Sequence, residues 1–171
     1  VTIEDCELGQ GCTFIANVKA QAAIQELSPQ FKPEAKFELT PNCLDHCKVL
    51  LVEDSLDNQM LIEMLLTKAG VAVDIANNGV EGIEMAEAND YDIILMDMQM
   101  PVLDGYEATQ QLRKRGYLKP IVAITAHAMV EDQKRILALG CNAHLSKPLD
   151  TKALLETISH LTSGSRVKKA V

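Results

Sequence analysis

The chain has 171 residues, 47% hydrophobic and 23% charged, which suits one well-cored globular domain plus an appendage. A formal net charge of -8 with scattered Lys and Arg excludes a nonspecific grip on nucleic acid, which needs a basic face. No apolar run approaches the roughly 18 residues of a bilayer span, and no signal segment opens the chain. A soluble, cytoplasmic piece without membrane contact is expected, cut from a longer parent, as the first residue is Val1 rather than Met, and that parent can itself be membrane-anchored.

In chain order, VTIEDC and TFIANVKA are strand-like runs joined by the glycine-containing ELGQG, so residues 1–20 read as a β-hairpin. A lone hairpin is marginal in water, which marks this one as the remnant of a larger sheet. Residues 21–46, with Pro29, Pro33 and Pro41 among mixed charges, read as a linker. From residue 47 the pattern changes. Short β-rich runs at 48–52, 71–76, 92–96, 120–125 and 142–145 alternate with stretches of helical period at 57–70, 79–89, 105–116, 130–140 and 150–161.

Asp57 and Asp150 stand where N-caps belong, and Gly70 and Gly140 where helices stop. The result is an α/β unit of five βα repeats over 47–162, about 115 residues and a usual domain size, followed by a tail at 163–171. Five cysteines, an odd number at irregular spacing, suit reduced thiols. The CLDHC run at 43–47 lacks the second ligand pair of a structural zinc site.

In an open parallel sheet, ligands bind outside the carboxyl ends of the strands. Here the first strand ends in Glu53 and Asp54, the third in Asp97, the fourth in Thr125 and Ala126, and the fifth leads to Lys147 and Pro148. Taken singly, each is ordinary: an acidic pair after a strand is usually solvated, and Lys-Pro or Thr is common turn chemistry. Their arrival at one edge is the signal. Three carboxylates gathered there repel one another unless a cation sits among them, and an all-oxygen site with room for water suits Mg²⁺. Lys147 adds a second positive charge, and a carboxylate so compensated can form an aspartyl phosphate.

The motifs VEDS, LMDMQMPVLDG, ITAHA and LSKP together resemble a response-regulator receiver domain over residues 47 to 162. That resemblance implies a flavodoxin-like, doubly wound five-stranded parallel sheet of order 2-1-3-4-5, with the N-terminal hairpin and linker outside its core. It implies Asp97 as phosphoacceptor, with Mg²⁺ held by Asp54, Asp97, the Gln99 backbone carbonyl and, through water, Glu53. Thr125, Lys147 and the Met98 and Ala126 amides would hold the phosphoryl oxygens, and the Lys147–Pro148 bond would be cis. His144 stands where the family commonly has a Tyr or Phe that rotates with Thr125 in switching. Gln99 and His127 would flank the attacking water and tune phosphoryl lifetime; a neutral His127 could orient or deprotonate that water, the ordinary alternative being that it points to solvent.

EATQQLRK and TAHAM resemble receivers of hybrid sensor histidine kinases, and ELGQGCTF resembles the closing hairpin of a histidine-kinase ATPase domain. The implied partners are a phosphohistidine donor, in the same parent chain, and a histidine phosphotransfer protein. No histidine box or ATP-binding box is present, so no kinase activity is expected of this chain beyond its own phosphorylation and dephosphorylation. Two other readings compete. One is a degenerate receiver used only for docking; the other is a Mg²⁺-dependent phosphohydrolase of the haloacid-dehalogenase kind. The latter needs a second Asp two residues after the nucleophile, where this chain has Gln99. A nucleotide or flavin module lacks its glycine-rich loop.

Overall fold

The computed structural model describes residues 2–7, 11–15, 44, 46–126 and 130–166. They fall into two compact units, Val1–Glu38 and Leu39–Val171. In the first, β1 (Thr2–Glu7) pairs antiparallel with β2 (Gly11–Ile15), with an irregularity between Glu4 and Cys6. The turn residues 8–10, the second strand's expected extension to residue 20 and most of the expected linker lie outside the described residues.

The second unit alternates strands and helices throughout: β3 (Lys48–Val52), α1 (Leu56–Lys68), β4 (Ala72–Ala76), α2 (Gly79–Ala88), β5 (Ile93–Asp97), α3 (Gly105–Lys114), β6 (Ile121–Thr125), α4 (Val130–Ala138), β7 (Ala143–Ser146) and α5 (Thr151–Arg166). The sheet is parallel, in the order β4-β3-β5-β6-β7. Numbered within the unit this is 2-1-3-4-5, as expected.

The period-two alternation of the central strands sorts the core into two layers. Leu50, Val52, Ile94, Met96, Ile121 and Ala123 face Ile83 of α2, Leu112 of α3 and Ile136 of α4. The intervening Val49, Leu51, Ile93, Leu95, Val122 and Ile124 face Ile62 and Leu66 of α1 and Leu154 and Ile158 of α5. Both faces of these strands are covered, which is why KVLLV and DIILM read as unbroken apolar runs. Each fully buried Leu or Ile contributes about 1.5–3 kcal/mol.

Helix starts depart from the reading at one place. The N-cap of α1 is Ser55, whose side chain makes no capping bond, and Asp57 lies inside the first turn. The helix begins directly behind the acidic pair, so its first turn serves the strand edge. Asp150 does cap α5, accepting from the Ala153 N–H at 2.8 Å. Asn78 caps α2 through the N–H groups of Val80 and Glu81, and Asp104 caps α3 through Glu107. Such caps contribute about 1 kcal/mol each.

Gly70 and Gly140 follow α1 and α4 with φ of 84° and 103°, as C′ residues do, and Gly116 does the same for α3. Helix α5 runs to Arg166, past the expected domain end at 162. The hydroxyls of Thr162 and Ser163 donate back to the carbonyls of Ile158 and Ser159, satisfying themselves within the helix.

Candidate functional site

Parallel register brings the strand ends level. Val52 pairs with Met96, so Glu53 and Asp97 are next neighbours across β3 and β5. Asp97 pairs with Ile124, and Thr125 with Ser146, which sets Lys147 one residue beyond. The Lys147 N–H donates to the Thr125 carbonyl at 2.8 Å, extending the β6–β7 ladder to the lysine itself. The Lys147–Pro148 bond is cis, as expected.

Glu53, Asp54 and Asp97 each offer a carboxylate oxygen, all within 4.8 Å of one another. Glu53 and Asp97 are buried and Asp54 is exposed. Lys147 Nζ lies 2.8 Å from Glu53 Oε2 and 2.6 Å from Asp97 Oδ2, one ammonium shared by two buried acids. Burial acts to lower the pKa of this lysine, but its hydrogen bonds to Asp97 and Glu53 outweigh that and hold it above the ordinary lysine value. Three carboxylates against one ammonium leave two negative charges uncompensated, the complement of a divalent cation. The donor set is all oxygen and one member is open to water, so the residues fit Mg²⁺.

The loop after β5 is shaped for this edge. The Gln99 N–H donates to Asp97 Oδ1 at 3.0 Å, while the Met98 N–H is spent on the Ile124 carbonyl at 2.9 Å. The amide facing the acceptor carboxylate is therefore that of Gln99, a departure from the expected role of Met98, because the β5–β6 ladder runs one residue past Asp97. Val102 sits at φ 71° with its side chain 84% exposed, a left-handed conformation costly for a β-branched residue. The chain then returns so closely that a Cβ on Gly105 would collide with the Asp97 carbonyl oxygen. Only glycine permits that approach.

Thr125 is buried at the end of β6, and Ala126 is exposed beside it. His144 is half-buried in the middle of β7, opposite Ala123. His127 lies outside the described residues. Cys47 and Cys141 are buried thiols. Of the CLDHC run, His46 is exposed, and Cys43 and Asp45 lie outside the described residues.

Two site residues escaped the sequence reading. Asn58 Nδ2 donates to Glu53 Oε1 at 2.8 Å, and the buried Gln59 donates through Nε2 to the Glu53 carbonyl and to Asn77 Oδ1. The available signal was the polar pair Asn58-Gln59 in the first turn of a helix that begins directly behind the acidic pair.

Comparison with known proteins agrees with this geometry. Residues 49–159 match the family model of the response regulator receiver domain. A probable histidine kinase 2 of rice (Oryza sativa subsp. indica) is 34% identical over 167 residues; the match takes in 87% of this chain but only 16% of that protein's length. The receiver domain of the sensor histidine kinase PA1611 of Pseudomonas aeruginosa, solved with a magnesium ion in its active-site cleft, superposes with a TM-score of 0.64 at 38% identity. That superposition covers 68% of this chain and 98% of the other. A chain from the Saccharomyces cerevisiae co-crystal of the histidine phosphotransfer protein Ypd1 with the receiver domain of its downstream response regulator Ssk1 gives a TM-score of 0.63 at 33% identity, covering 68% and 89%.

Proposed function

This chain belongs to the response regulator receiver family, and on that premise we propose that it takes a phosphoryl group onto Asp97 in a Mg²⁺-dependent reaction. It is a receiver domain of two-component phosphorelay systems and not itself a kinase. The observation that carries the proposal is the buried Asp97 carboxylate held between Lys147 and the Gln99 amide beside two further acids.

An oxygen of Asp97 attacks the phosphorus of a phosphohistidine. The P–N bond breaks, its electron pair leaves with the donor's imidazole, and an acyl phosphate remains. Lys147 follows the negative charge from the carboxylates onto a phosphoryl oxygen. The Thr125 hydroxyl and the N–H groups of Ala126 and Gln99 serve the other oxygens, and the Met98 N–H joins them only by leaving the Ile124 carbonyl. Mg²⁺, held by Asp54, Asp97 and the Gln99 carbonyl with Glu53 acting through water, would neutralise charge on the transferring group. The acyl phosphate is discharged to a partner histidine or to water, with Gln99 and His127 as the residues that tune its lifetime. His144 takes the place of the usual aromatic switch.

The likeness to a receiver of a sensor histidine kinase supports a hybrid kinase as parent, and the ELGQGCTF run is what assigns the N-terminal hairpin to that parent's ATPase domain. The likeness to a chain from a complex with a phosphotransfer protein supports a partner of that class. Among the described residues no helix is long and apolar enough to cross a membrane.

The test is incubation with acetyl phosphate, with and without Mg²⁺, followed by intact mass. A gain of one phosphoryl group only with metal is expected. An equal gain in chelator refutes the metal requirement, and no gain from acetyl phosphate or from a phosphorylated histidine protein favours a docking-only receiver.

A further inference from the structure

We propose that Asn58 is a positioning residue for phosphoryl uptake, holding the Glu53 carboxylate towards the cation site at the moment Lys147 leaves it. The inference rests on the Mg²⁺-dependent reading of the same site and adds a member to it.

Glu53 is buried, and each of its carboxylate oxygens has a donor. Lys147 takes Oε2 at 2.8 Å and Asn58 Nδ2 takes Oε1 at 2.8 Å. The two donors are unlike in what the reaction asks of them. Lys147 also bonds Asp97 Oδ2, so it must shift when a phosphoryl group grows on that carboxylate and draws the ammonium away. Asn58 is neutral, gives its side-chain hydrogen bond to Glu53 rather than to Asp97 or Asp54, and sits in the first turn of α1.

That turn is anchored. Gln59, next in sequence and 5% exposed, spends the two hydrogens of its amide nitrogen on the Glu53 carbonyl and on Asn77 Oδ1 at 3.1 Å, tying the ends of β3 and β4 to the helix. Once Lys147 has moved, Asn58 is the donor that keeps a buried, rotatable carboxylate in one orientation. A neutral donor does this without repelling a cation, which a second lysine would not. Partners behind a metal-binding carboxylate commonly change affinity by about 10–100-fold when removed. Because Glu53 contacts the metal only through water in the reading above, the low end is expected here.

The experiment uses the full chain. Mg²⁺ affinity is measured by calorimetry for wild type and Asn58→Ala, and thermal midpoints of both are measured in chelator. Expected are an affinity about 10-fold weaker in the variant and a metal-free midpoint lowered less than in a Lys147 variant, since one hydrogen bond to a buried charged group contributes about 1.5–3 kcal/mol and Lys147 stays on Glu53. Equal Mg²⁺ affinity in the two proteins overturns the inference while leaving the Mg²⁺ reading intact. If wild type binds no Mg²⁺, both fall together.

Should the variant unfold, the wild type decides by nuclear magnetic resonance. Adding Mg²⁺ with beryllofluoride, a phosphoryl mimic, should shift the Lys147 ammonium signal and leave the Asn58 side-chain amide in its hydrogen-bonded position. An Asn58 amide that exchanges like a solvent-exposed one, before or after the addition, refutes the role.

Discussion

Replacing Lys147 by Met should separate three quantities that usually fall together. The ammonium lies 2.6 Å from Asp97 and 2.8 Å from Glu53, whose side chains are 5% and 1% exposed. Breaking a buried pair by removing one partner costs about 3–5 kcal/mol. The lower end applies, because the lysine is 25% exposed and Asn58 and the Gln99 N–H still donate to the two acids. A loss of about 3 kcal/mol lowers the metal-free thermal midpoint by about 10 °C for a unit of this size. The pH dependence follows from the sign of the shift. A lysine whose folded pKa lies above its unfolded value contributes its full stability below about pH 10.4 and loses it as pH rises through the folded value. The deficit should therefore be equal at pH 6 and pH 9 and close only in stronger alkali.

The same variant should bind Mg²⁺ more tightly than wild type, since a cation has been removed beside an acidic site. It should nevertheless fail to take phosphate from acetyl phosphate at the wild-type rate. Scanning calorimetry in chelator, Mg²⁺ titration and intact mass read the three. An unchanged metal-free midpoint together with weakened Mg²⁺ binding would refute the claim that Lys147 and the metal share the work of compensating these acids.

Other expectations are more local. Val102→Gly should raise stability by about 0.5–1 kcal/mol, read by urea unfolding, since it relieves a left-handed β-branched residue while losing no packed side chain. Gly105→Ala should lower stability sharply and slow phosphorylation, because the new methyl group meets the Asp97 carbonyl; a protein with wild-type rate and midpoint would show that the loop yields freely. Arg113→Lys should cost about 2 kcal/mol without altering the extent of phosphorylation, as the guanidinium reaches the carbonyls of Gly140, Tyr117 and Lys119 and the Asn142 side chain, all remote from Asp97. Lys48, with Tyr91, holds the Asp74 carboxyl below its usual pKa, so Asp74→Asn should destabilise at pH 7. That difference should fade as pH falls below about 3.9 and through the depressed value.

The sheet was legible because buried parallel strands leave continuous apolar runs, and each of the five in the larger unit lies within a residue of where it was read. The site was legible for a related reason: parallel register turns strand ends into neighbours, so Glu53, Asp97, Thr125 and Lys147 could be gathered from sequence alone. What escaped depends on side-chain direction. Asp57 has the chemistry of a cap but sits inside the turn, because α1 starts directly behind the acidic pair. Asn58 and Gln59 look like surface amides until the helix start is known. Which amide faces Asp97 depends on where the β5–β6 ladder stops, and nothing in LMDMQMP fixes that.

The central claim is tested most directly by locating the phosphoryl group. The chain is incubated with acetyl phosphate and Mg²⁺, the acyl phosphate is reduced with borohydride, and peptides are sequenced by mass spectrometry. Homoserine at position 97, absent in chelator and absent from Asp97→Asn, is the predicted result. Modification at any other residue, or undiminished labelling of Asp97→Asn, would contradict the account.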